Sequence, residues 1–422
     1  MAKKENIVVA LDIGSDSIKM AAASRNFDDG SINILSYKER KSSGIRRGVV
    51  VNVLEVADII SSLKEEIEND IGQELDSVYT NINGSHLFAV HSRGLVSVSR
   101  ADQKISDEDI ERVLEASKSI SLSPNKEIID VYPKNFIVDG EEKVKKAVGL
   151  QGVRLEAETI VFCGFSPYIN NSNKAVLNAG FRFNTLIPNH IADANSILSP
   201  QEKELGVCLL DIGAGTTNMA VFEEGNLIHM AVFPVGSSNI TNDLAICLKT
   251  SIDTAEKVKI DFGFCGNNKE KRGKRKQKGE ERKIKISTFS EDENGEEKEE
   301  ILVFPKKILI DIIKARVSEI FELVSKELKS ISRHKLLPAG VVITGGGAKM
   351  AGIKEIAKKE LKLPARIGIP QISQDFENDL RLATIWGLIL EAIEIENFQE
   401  KEKKFSSGVL KKVKKIFNLF TP

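Results

Sequence analysis

Cysteine and histidine are both scarce in this chain of 422 residues. The four cysteines, Cys163, Cys208, Cys247 and Cys265, form no CxxC pair, and none of the five histidines has a histidine partner at i, i+4. The cysteine pattern argues against a disulfide framework of the kind that holds small secreted domains together. The histidine pattern argues against a metal site built from side chains alone. Cys208 lies in an apolar run and is expected to be a buried thiol.

Long apolar runs and a strong net charge are also missing. No segment approaches the roughly 20 apolar residues of a spanning helix, and the short polar start at residues 1–6 lacks the apolar core of a signal peptide. The formal net charge is −1, so no global field attracts nucleic acid. The 41% of hydrophobic residues can fill sizeable cores in roughly two or three domains. We expect a cytosolic protein that binds no nucleic acid and can still lie on a membrane.

The most informative feature is a gapless internal repeat, in which residues 8–21 resemble residues 207–220. Each copy has four apolar residues, then Asp-Ile-Gly, then small hydroxylated residues, and then apolar sequence again. This pattern predicts two β-hairpins whose tips bind phosphate, because glycine lets backbone N–H groups approach an anion and hydroxyls add donors. The tip residues are Gly14, Ser15, Ser17, Gly213, Gly215, Thr216 and Thr217.

A carboxylate ends the first strand of each copy. At Asp12 and Asp211 it can hold a hydrated Mg²⁺ beside phosphates. Two such hairpins facing each other would clamp a triphosphate from both sides. A strand followed by an ordinary turn would explain either copy alone, but two gapless copies about half a chain apart argue against that interpretation.

A third glycine-rich element follows a short apolar strand at residues 340–344. Three consecutive glycines, Gly345, Gly346 and Gly347, would let the backbone lie flat against a bulky ligand such as a nucleoside. A helix is predicted at residues 353–361. Neither the GxxxxGK(S/T) pattern of Walker loops nor the GxGxxG pattern of dinucleotide folds occurs in the chain.

Together these elements resemble the superfamily of actin, Hsp70 and the sugar kinases, in which two related halves close on ATP. The rest of the chain narrows the resemblance to the FtsA family of bacterial cell-division proteins. Three stretches carry it, residues 48–99, 128–156 and 204–257, and it extends from Ile7 to about Leu390. It implies an α/β, actin-like ATPase fold with two related halves around a nucleotide cleft and an FtsA-type inserted subdomain.

The resemblance also implies the domain boundaries. The expected parts are a first half at 1–83 with the first phosphate hairpin, completed by 164–200 and 372–396; an inserted subdomain at 84–163; and a second half at 201–371 with the second phosphate hairpin, an upper subdomain at about 245–330 and an adenosine motif at 340–352.

By resemblance, the expected cofactors are ATP and Mg²⁺. Asp12 and Asp211 would hold the metal through water and are the candidates for positioning a water molecule, and no other catalytic residue is assigned. Glu256 would lie near the ribose or adenine, and the glycines at 345–347 at the adenosine. The phosphate-side residues implied are Gly14, Ser15, Ser17, Lys19, Gly213, Gly215, Thr216, Thr217, Asn218 and Gly236.

Three positions depart from the FtsA pattern. Ala214 stands where the family usually has glycine, and Asn218 where it usually has aspartate. Lys19 lies two residues further from Asp12 than the family's usual lysine. We therefore expect ATP binding with, at most, slow hydrolysis. The first loop also resembles that of PilM, a relative that acts in pilus assembly.

A strongly basic stretch lies at residues 267–285, and an acidic stretch follows at 291–300. Basic clusters can bind nucleic acid or acidic lipid, but no aromatic residues are interleaved with this one. We interpret it as a solvated loop. It precedes a predicted hairpin of residues 283–289 and 300–304.

The C-terminal segment, residues 409–422, has the pattern of an amphipathic helix behind a polar linker at 397–408. At 3.6 residues per turn, its apolar residues except Leu419 form one stripe, and its lysines take the other side. Such a helix can lie in the lipid interface, where anionic headgroups attract the lysines; packing on the protein's own core is the alternative. The membrane residues would be Val409, Leu410, Val413, Ile416, Phe417 and Phe420 in the stripe, with Lys411, Lys412, Lys414 and Lys415 beside it.

The resemblance implies a protein that polymerises into filaments and tethers FtsZ to the cytoplasmic side of the cell membrane at the division septum. The inserted subdomain would contact later division proteins. A single short helix binds lipid weakly, so polymerisation would supply avidity. Two alternatives remain: a PilM-like adaptor of an envelope machine, and a small-molecule kinase. The kinase would need a general base, for which we identify no spare aspartate.

Overall fold

The computed structural model describes residues 7–26, 31–141, 143–266, 283–291, 297–370 and 379–405. The elements up to the middle of the chain are β1 (Ile7–Ile13), β2 (Ser17–Arg25), β3 (Ile32–Lys41), β4 (Ile45–Arg46), β5 (Val49–Val50), α1 (Val53–Ile71), β6 (Ser77–Ile82), β7 (Phe88–Ser97), α2 (Asp107–Ser117), β8 (Lys126–Val138), β9 (Lys143–Val144), β10 (Arg154–Phe165), α3 (Ser166–Asn178), β11 (Arg182–Pro188), α4 (Asn189–Ile197) and α5 (Pro200–Leu205).

The first half is built on a five-stranded sheet in the order β11-β6-β1-β2-β3. The first copy of the repeat forms the antiparallel pair β1 and β2, in which Asp12 lies opposite Lys19. Nearly every residue of both strands is buried, because helices cover both faces of the sheet. Helix α1 begins at Asn52, whose side chain accepts from the backbone N–H of Leu54, and ends at Gly72 in the left-handed conformation.

The inserted segment forms its own small layer. Four strands pair antiparallel in the order β7-β10-β8-β9, and α2 packs on β7 and β10 around a separate apolar core. A capping box between Ser106 and Asp109 fixes the start of α2. Lys145 of this layer lies 3.1 Å from Glu204 of α5, which ties the layer to the rest of the molecule.

The second half repeats the plan of the first. Its sheet has the order β14-β13-β12-β17-β18, and the second copy of the repeat forms the antiparallel pair β12 and β13. The remaining elements are β12 (Val207–Ile212), β13 (Thr217–Glu223), β14 (Asn226–Phe233), α6 (Ser237–Leu248), α7 (Ile252–Phe262), β15 (Lys283–Glu291), β16 (Glu297–Pro305), α8 (Lys306–Ser330), β17 (Gly340–Thr344), α9 (Ile353–Leu361), β18 (Ala365–Ile367) and α10 (Ala383–Phe405).

Helices α4 and α10 cross between the halves at a very close approach. A Cβ on Gly387 would overlap the carbonyl oxygen of Ala192, so only glycine fits at this point of α10. Helix α10 continues to Phe405 and therefore occupies part of the stretch at 397–408 that we predicted to be a linker. Residues 397–405 of the predicted linker are therefore helical, as the high helix propensity of their Glu and Lys residues favours.

Helices α6, α7 and α8 and the hairpin of β15 and β16 form the upper part of the second half. The hairpin confirms the predicted pairing and extends it, from Lys283 opposite Pro305 to Glu291 opposite Glu297. In the part of the chain that the structure describes, no helix is long and apolar enough to cross a membrane. The predicted membrane helix at 409–422 and most of the basic stretch, 267–282, lie outside the described residues.

Candidate functional site

A cavity of about 480 Å³ lies between the two halves, and the three glycine-rich elements meet at its walls. Most of the residues predicted to bind nucleotide line this one cavity, although they come from distant parts of the chain. The predicted residues that line it are Asp12, Gly14, Ser15, Ser17, Lys19, Asp211, Gly213, Gly215, Thr216, Glu256, Gly345, Gly346 and Gly347.

The two hairpin tips have the same turn. The backbone N–H of Gly14 donates to the Ser17 carbonyl at 3.2 Å, and that of Gly213 donates to the Thr216 carbonyl at 2.9 Å. A Cβ on Gly14 would lie only 2.8 Å from the Ser17 oxygen, so a side chain there would disturb the turn. We refer to residues 13–17 and 212–217 as the first and second phosphate loops.

The two phosphate loops touch each other across the cleft. A Cβ on Gly215 would lie 2.8 Å from the hydroxyl oxygen of Ser15, which leaves no space for a larger residue at 215. The side-chain amide of Asn83, in the first half, donates to the Thr216 hydroxyl at 3.1 Å. An anion at this junction would therefore be reached by donors from both halves.

The carboxylate of Asp12 is buried, and each of its two oxygens accepts a hydrogen bond. Lys19 donates to one of its oxygens at 3.1 Å and Asn81 to the other at 2.7 Å. Burial by itself would lower the pKa of Lys19, but the Asp12 carboxylate more than offsets this effect, so that the pKa lies above its ordinary value. Asp12 and Lys19, which flank the first phosphate loop, thus form an ion pair that contributes little net charge to the cavity.

The carboxylate of Asp211 occupies the equivalent place in the second half without a cationic partner. Asn218 stands opposite Asp211 where Lys19 stands opposite Asp12, and its amide donates to Asp211 at 2.9 Å. Burial raises the pKa of Asp211 to about 6. A cation bound beside Asp211 would offset the cost of burying this carboxylate, so Asp211 attracts a metal ion more strongly than Asp12, which is already paired with Lys19.

The geometry allows Mg²⁺ to bind only with help from water and phosphate. Among the residues that the structure describes, no three His, Cys, Asp or Glu side chains are placed to hold a metal ion together. Mg²⁺ commonly keeps several waters and takes one or two protein carboxylates beside substrate phosphates. Asp12 and Asp211 fit that mode of binding.

A third buried aspartate, Asp193 on α4, was missed by the sequence analysis. Its carboxylate accepts from the Thr384 hydroxyl at 2.7 Å, and its other oxygen has no hydrogen-bond partner within the described residues. Burial and the nearby Asp211 raise its pKa well above the ordinary value. Thr384 lines the cavity, so Asp193 lies directly behind the wall. The only signal in the sequence is a charged residue among small and apolar neighbours.

The wall of the cavity also contains the glycine run, which lies against Asp211 and Ile212, and further charged groups. Glu256, predicted near the ribose or adenine, lines the cavity together with Lys259, and the two side chains pair at 2.7 Å. Lys349 and Arg381 also line the cavity, and both pair with Asp379. Sequence analysis missed Lys259, Lys349 and Arg381, because charged residues on helices are usually solvated and these carry no motif.

Three predicted site residues support the second loop from behind and do not line the cavity. The Thr217 hydroxyl donates to the Val235 carbonyl at 2.8 Å, and the side-chain amide of Asn218 donates to Asp211. A Cβ on Gly236 would lie 2.5 Å from the Ala214 carbonyl oxygen, so this glycine permits close packing of the loop. The structure thus shows these three residues outside the cavity lining, and their contact with a nucleotide stays a prediction.

Comparison with known proteins identifies the family. A family model described as Cell division protein FtsA matches residues 208–387, and one described as SHS2 domain inserted in FTSA matches residues 84–163. Cell division protein FtsA of Neisseria meningitidis is 30% identical over 98% of this chain and 99% of its own length. This chain belongs to the FtsA family of cell-division proteins. The FtsA of Pseudomonas aeruginosa is 32% identical over 86% of this chain and 83% of its own length.

Solved structures confirm the predicted actin-like ATPase fold of this FtsA-family chain. The PilM–PilN type IV pilus biogenesis complex matches with a TM-score of 0.62 at 16% identity, over 92% of this chain and 98% of the other. MreB5 of Spiroplasma citri bound to AMPPNP matches with a TM-score of 0.56 at 13% identity, over 95% and 99%. At these identities the likeness concerns the fold alone. The match to the FtsA insert covers β7, α2, β8, β9 and β10 as far as Cys163.

Proposed function

We propose that the cleft binds ATP with Mg²⁺ and that binding draws the two halves together. The observation that carries this proposal is the contact between the two phosphate loops, one from each half, at Ser15 and Gly215. MreB5 of Spiroplasma citri, which shares the fold, has been solved with AMPPNP bound. In this proposal ATP is a conformational ligand, and its hydrolysis is at most slow.

The hydroxyls of the two loops are prepared to donate to phosphate. The Ser15 hydroxyl oxygen accepts from the backbone N–H of Gly48 at 2.8 Å, and the Thr216 hydroxyl oxygen accepts from Asn83 at 3.1 Å. Each oxygen is thereby oriented, and each hydroxyl keeps its proton for an anion. Bound Mg²⁺ would neutralise phosphate charge, and Asp211 and Asp12 would orient its waters.

The proposed cellular role is that of a membrane tether in cell division. Membership of the FtsA family supports a role in the division machinery. We propose that the chain polymerises, links FtsZ to the cytoplasmic face of the membrane at the septum, and contacts later division proteins through the subdomain at 84–163. The tether itself is the amphipathic segment 409–422, for which the sequence pattern is the support.

Co-sedimentation with anionic liposomes tests the tether and its dependence on ATP in one experiment. We expect the full chain to pellet with vesicles, more strongly with Mg–ATP, and a chain truncated after Ser407 to remain in the supernatant. A chain with Lys411, Lys412, Lys414 and Lys415 changed to Gln keeps the apolar stripe, and we expect it to bind more weakly. Equal pelleting of the full and truncated chains would remove segment 409–422 as the anchor.

A further inference from the structure

A short hairpin of the first half, formed by β4, β5 and the turn between them, lies over the first phosphate loop. We call residues 44–50 the arginine hairpin. Its strands pair Ile45 with Val50 and Arg46 with Val49. The loop and the hairpin are joined by two bonds: the Ser42 hydroxyl, just before the hairpin, donates to the Gly14 carbonyl at 2.6 Å, and the backbone N–H of Gly48 donates to Ser15 at 2.8 Å.

The tip of the arginine hairpin also reaches the second half. The Cα of Arg47 lies 3.1 Å from the position that a Cβ on Gly215 would occupy, so Arg47 packs directly on the second phosphate loop. Its backbone has φ +50°, a region that residues other than glycine seldom adopt. Gly48 follows with φ +75° and has no space for a side chain against Gly84. The surroundings therefore hold Arg47 at the junction of the two loops.

The guanidinium of Arg47 is exposed, and within the described residues it has no hydrogen bond or ion pair. The cations that line the cavity differ in this respect. Each of them has a carboxylate partner: Asp12 for Lys19, Glu256 for Lys259, and Asp379 for both Lys349 and Arg381. Arg47 is not among the residues that line the cavity, and Arg46 on the same hairpin is likewise exposed and unpaired within the described residues. Of the two arginines, Arg47 is the one whose Cα lies against Gly215 of the second phosphate loop, so its charge is the one placed to reach a ligand at the loop junction.

We propose that Arg47 binds the outermost phosphate of a nucleoside triphosphate and so distinguishes it from the diphosphate. The inference rests on the proposed binding of ATP in this cleft. An arginine can donate two parallel hydrogen bonds to one phosphate group. A diphosphate that keeps its base and inner phosphates in place lacks the group nearest the loop junction. Because Arg47 belongs to the first half and packs on Gly215 of the second, its bond to phosphate also secures the closed cleft.

The experiment compares the Kd for Mg–ATP with the Kd for Mg–ADP in the full chain, measured by displacement of a fluorescent nucleotide. Arg47→Asn removes the charge and keeps a residue that tolerates positive φ. We expect it to weaken ATP binding about 10- to 100-fold, the effect of losing a charge-assisted pair, and to leave ADP binding within about twofold. Arg47→Lys keeps the charge and loses the planar guanidinium group, so its Kd for Mg–ATP should lie between those of the wild-type chain and Arg47→Asn. Arg46→Asn is the matched control, since Arg46 is an exposed arginine of the same hairpin that pairs with Val49 and is not among the nearest neighbours of Gly215, and it should change neither Kd.

Equal weakening of ATP and ADP by Arg47→Asn would show that the residue merely supports the loop, and would overturn the inference. An unchanged Kd for ATP would overturn it as well. If the wild-type chain bound neither nucleotide, the proposed function would fail and the inference with it. Should Arg47→Asn not fold, Arg47→Gly gives the same comparison, because glycine is unstrained at this backbone conformation.

Discussion

At the level of single residues, the replacement of Lys19 in the first copy of the repeat by Asn218 in the second has large consequences. Lys19 compensates Asp12, whereas Asn218 leaves Asp211 without a cation. Both carboxylates are buried and end equivalent strands. The same substitution is therefore expected to have opposite effects on stability at the two positions.

We expect Asp211→Asn to stabilise the ligand-free chain at pH 7.5 and Asp12→Asn to destabilise it. The first removes a buried charge that the fold disfavours, a gain of about 2–3 kcal/mol. The second leaves Lys19 buried and unpaired, a loss of about 3 kcal/mol. Urea unfolding measures both. Asp211→Asn should also weaken Mg²⁺-dependent ATP binding at least about tenfold, because the metal loses its uncompensated carboxylate.

The gain from Asp211→Asn depends on pH with a defined sign. The folded pKa, about 6, lies above the ordinary value of 3.8, so between these values the folded state binds more protons than the unfolded state. The contribution of Asp211 to the free energy of unfolding therefore falls as pH rises through this window. The variant's advantage should be absent below pH 3.8, grow up to pH 6 and then stay constant. An advantage that is the same at pH 4 and pH 7.5 would contradict a raised pKa.

The site was partly predictable because its motifs are local. Each phosphate loop is the tip of a single hairpin, and its Asp-Ile-Gly motif can be recognised in a short stretch of sequence. Asp193, Lys259 and Arg381 were not predictable, since each reaches the cavity from a separate helix or turn whose place depends on the tertiary fold. Thr217 and Asn218 belong to the right motif, but the Thr217 hydroxyl donates to the Val235 carbonyl and the Asn218 amide to Asp211. These partners come from outside the motif or from the other strand of the hairpin, so the motif alone does not show where the two side chains go.

At the element scale, the crossing of α4 and α10 is the most constrained contact in the described part of the chain. Gly387 has no space for a Cβ beside Ala192, and the same helices are joined by the Thr384–Asp193 bond. The repeat predicted the two sheets, but not the point at which two helices would touch. The charged composition at 397–405 suggested a linker, and these residues continue helix α10, as their helix propensity favours.

We expect Gly387→Ala to destabilise the chain by about 2–3 kcal/mol, because a methyl group would push the crossing helices apart. Gly346→Ala is the matched control, since the added methyl group would lie 3.6 Å from the Arg381 side chain in ordinary contact. Thermal and urea unfolding of both variants give the comparison. Equal stability of Gly387→Ala and the wild-type chain would mean that the crossing is looser than the structure shows.

At the scale of the whole molecule, the cavity wall is shared by two halves that each have their own core. A ligand bound between them stabilises both together, by about 2.7 kcal/mol when its concentration is 100 times its Kd. The inserted layer has a separate core, and none of its residues between 84 and 163 lines the cavity. It therefore serves as an internal reference for any effect of nucleotide.

Hydrogen exchange with and without Mg–ATP tests this division of the molecule. We expect slower exchange in β1 and β2 of the first half and in β12 and β13 of the second, because both phosphate loops hold the ligand, and unchanged exchange in β7, β8 and β10. ATP with EDTA is the control and should protect more weakly, since Asp211 would face phosphate without a cation. Protection confined to one half would place the ligand on a single loop and refute a shared site. Protection that extended into the inserted layer would instead mean that closure of the cleft affects the surface proposed to contact later division proteins. Two contacts could transmit this effect: the Lys145–Glu204 pair, and the strands β7 and β8 that lie beside β14.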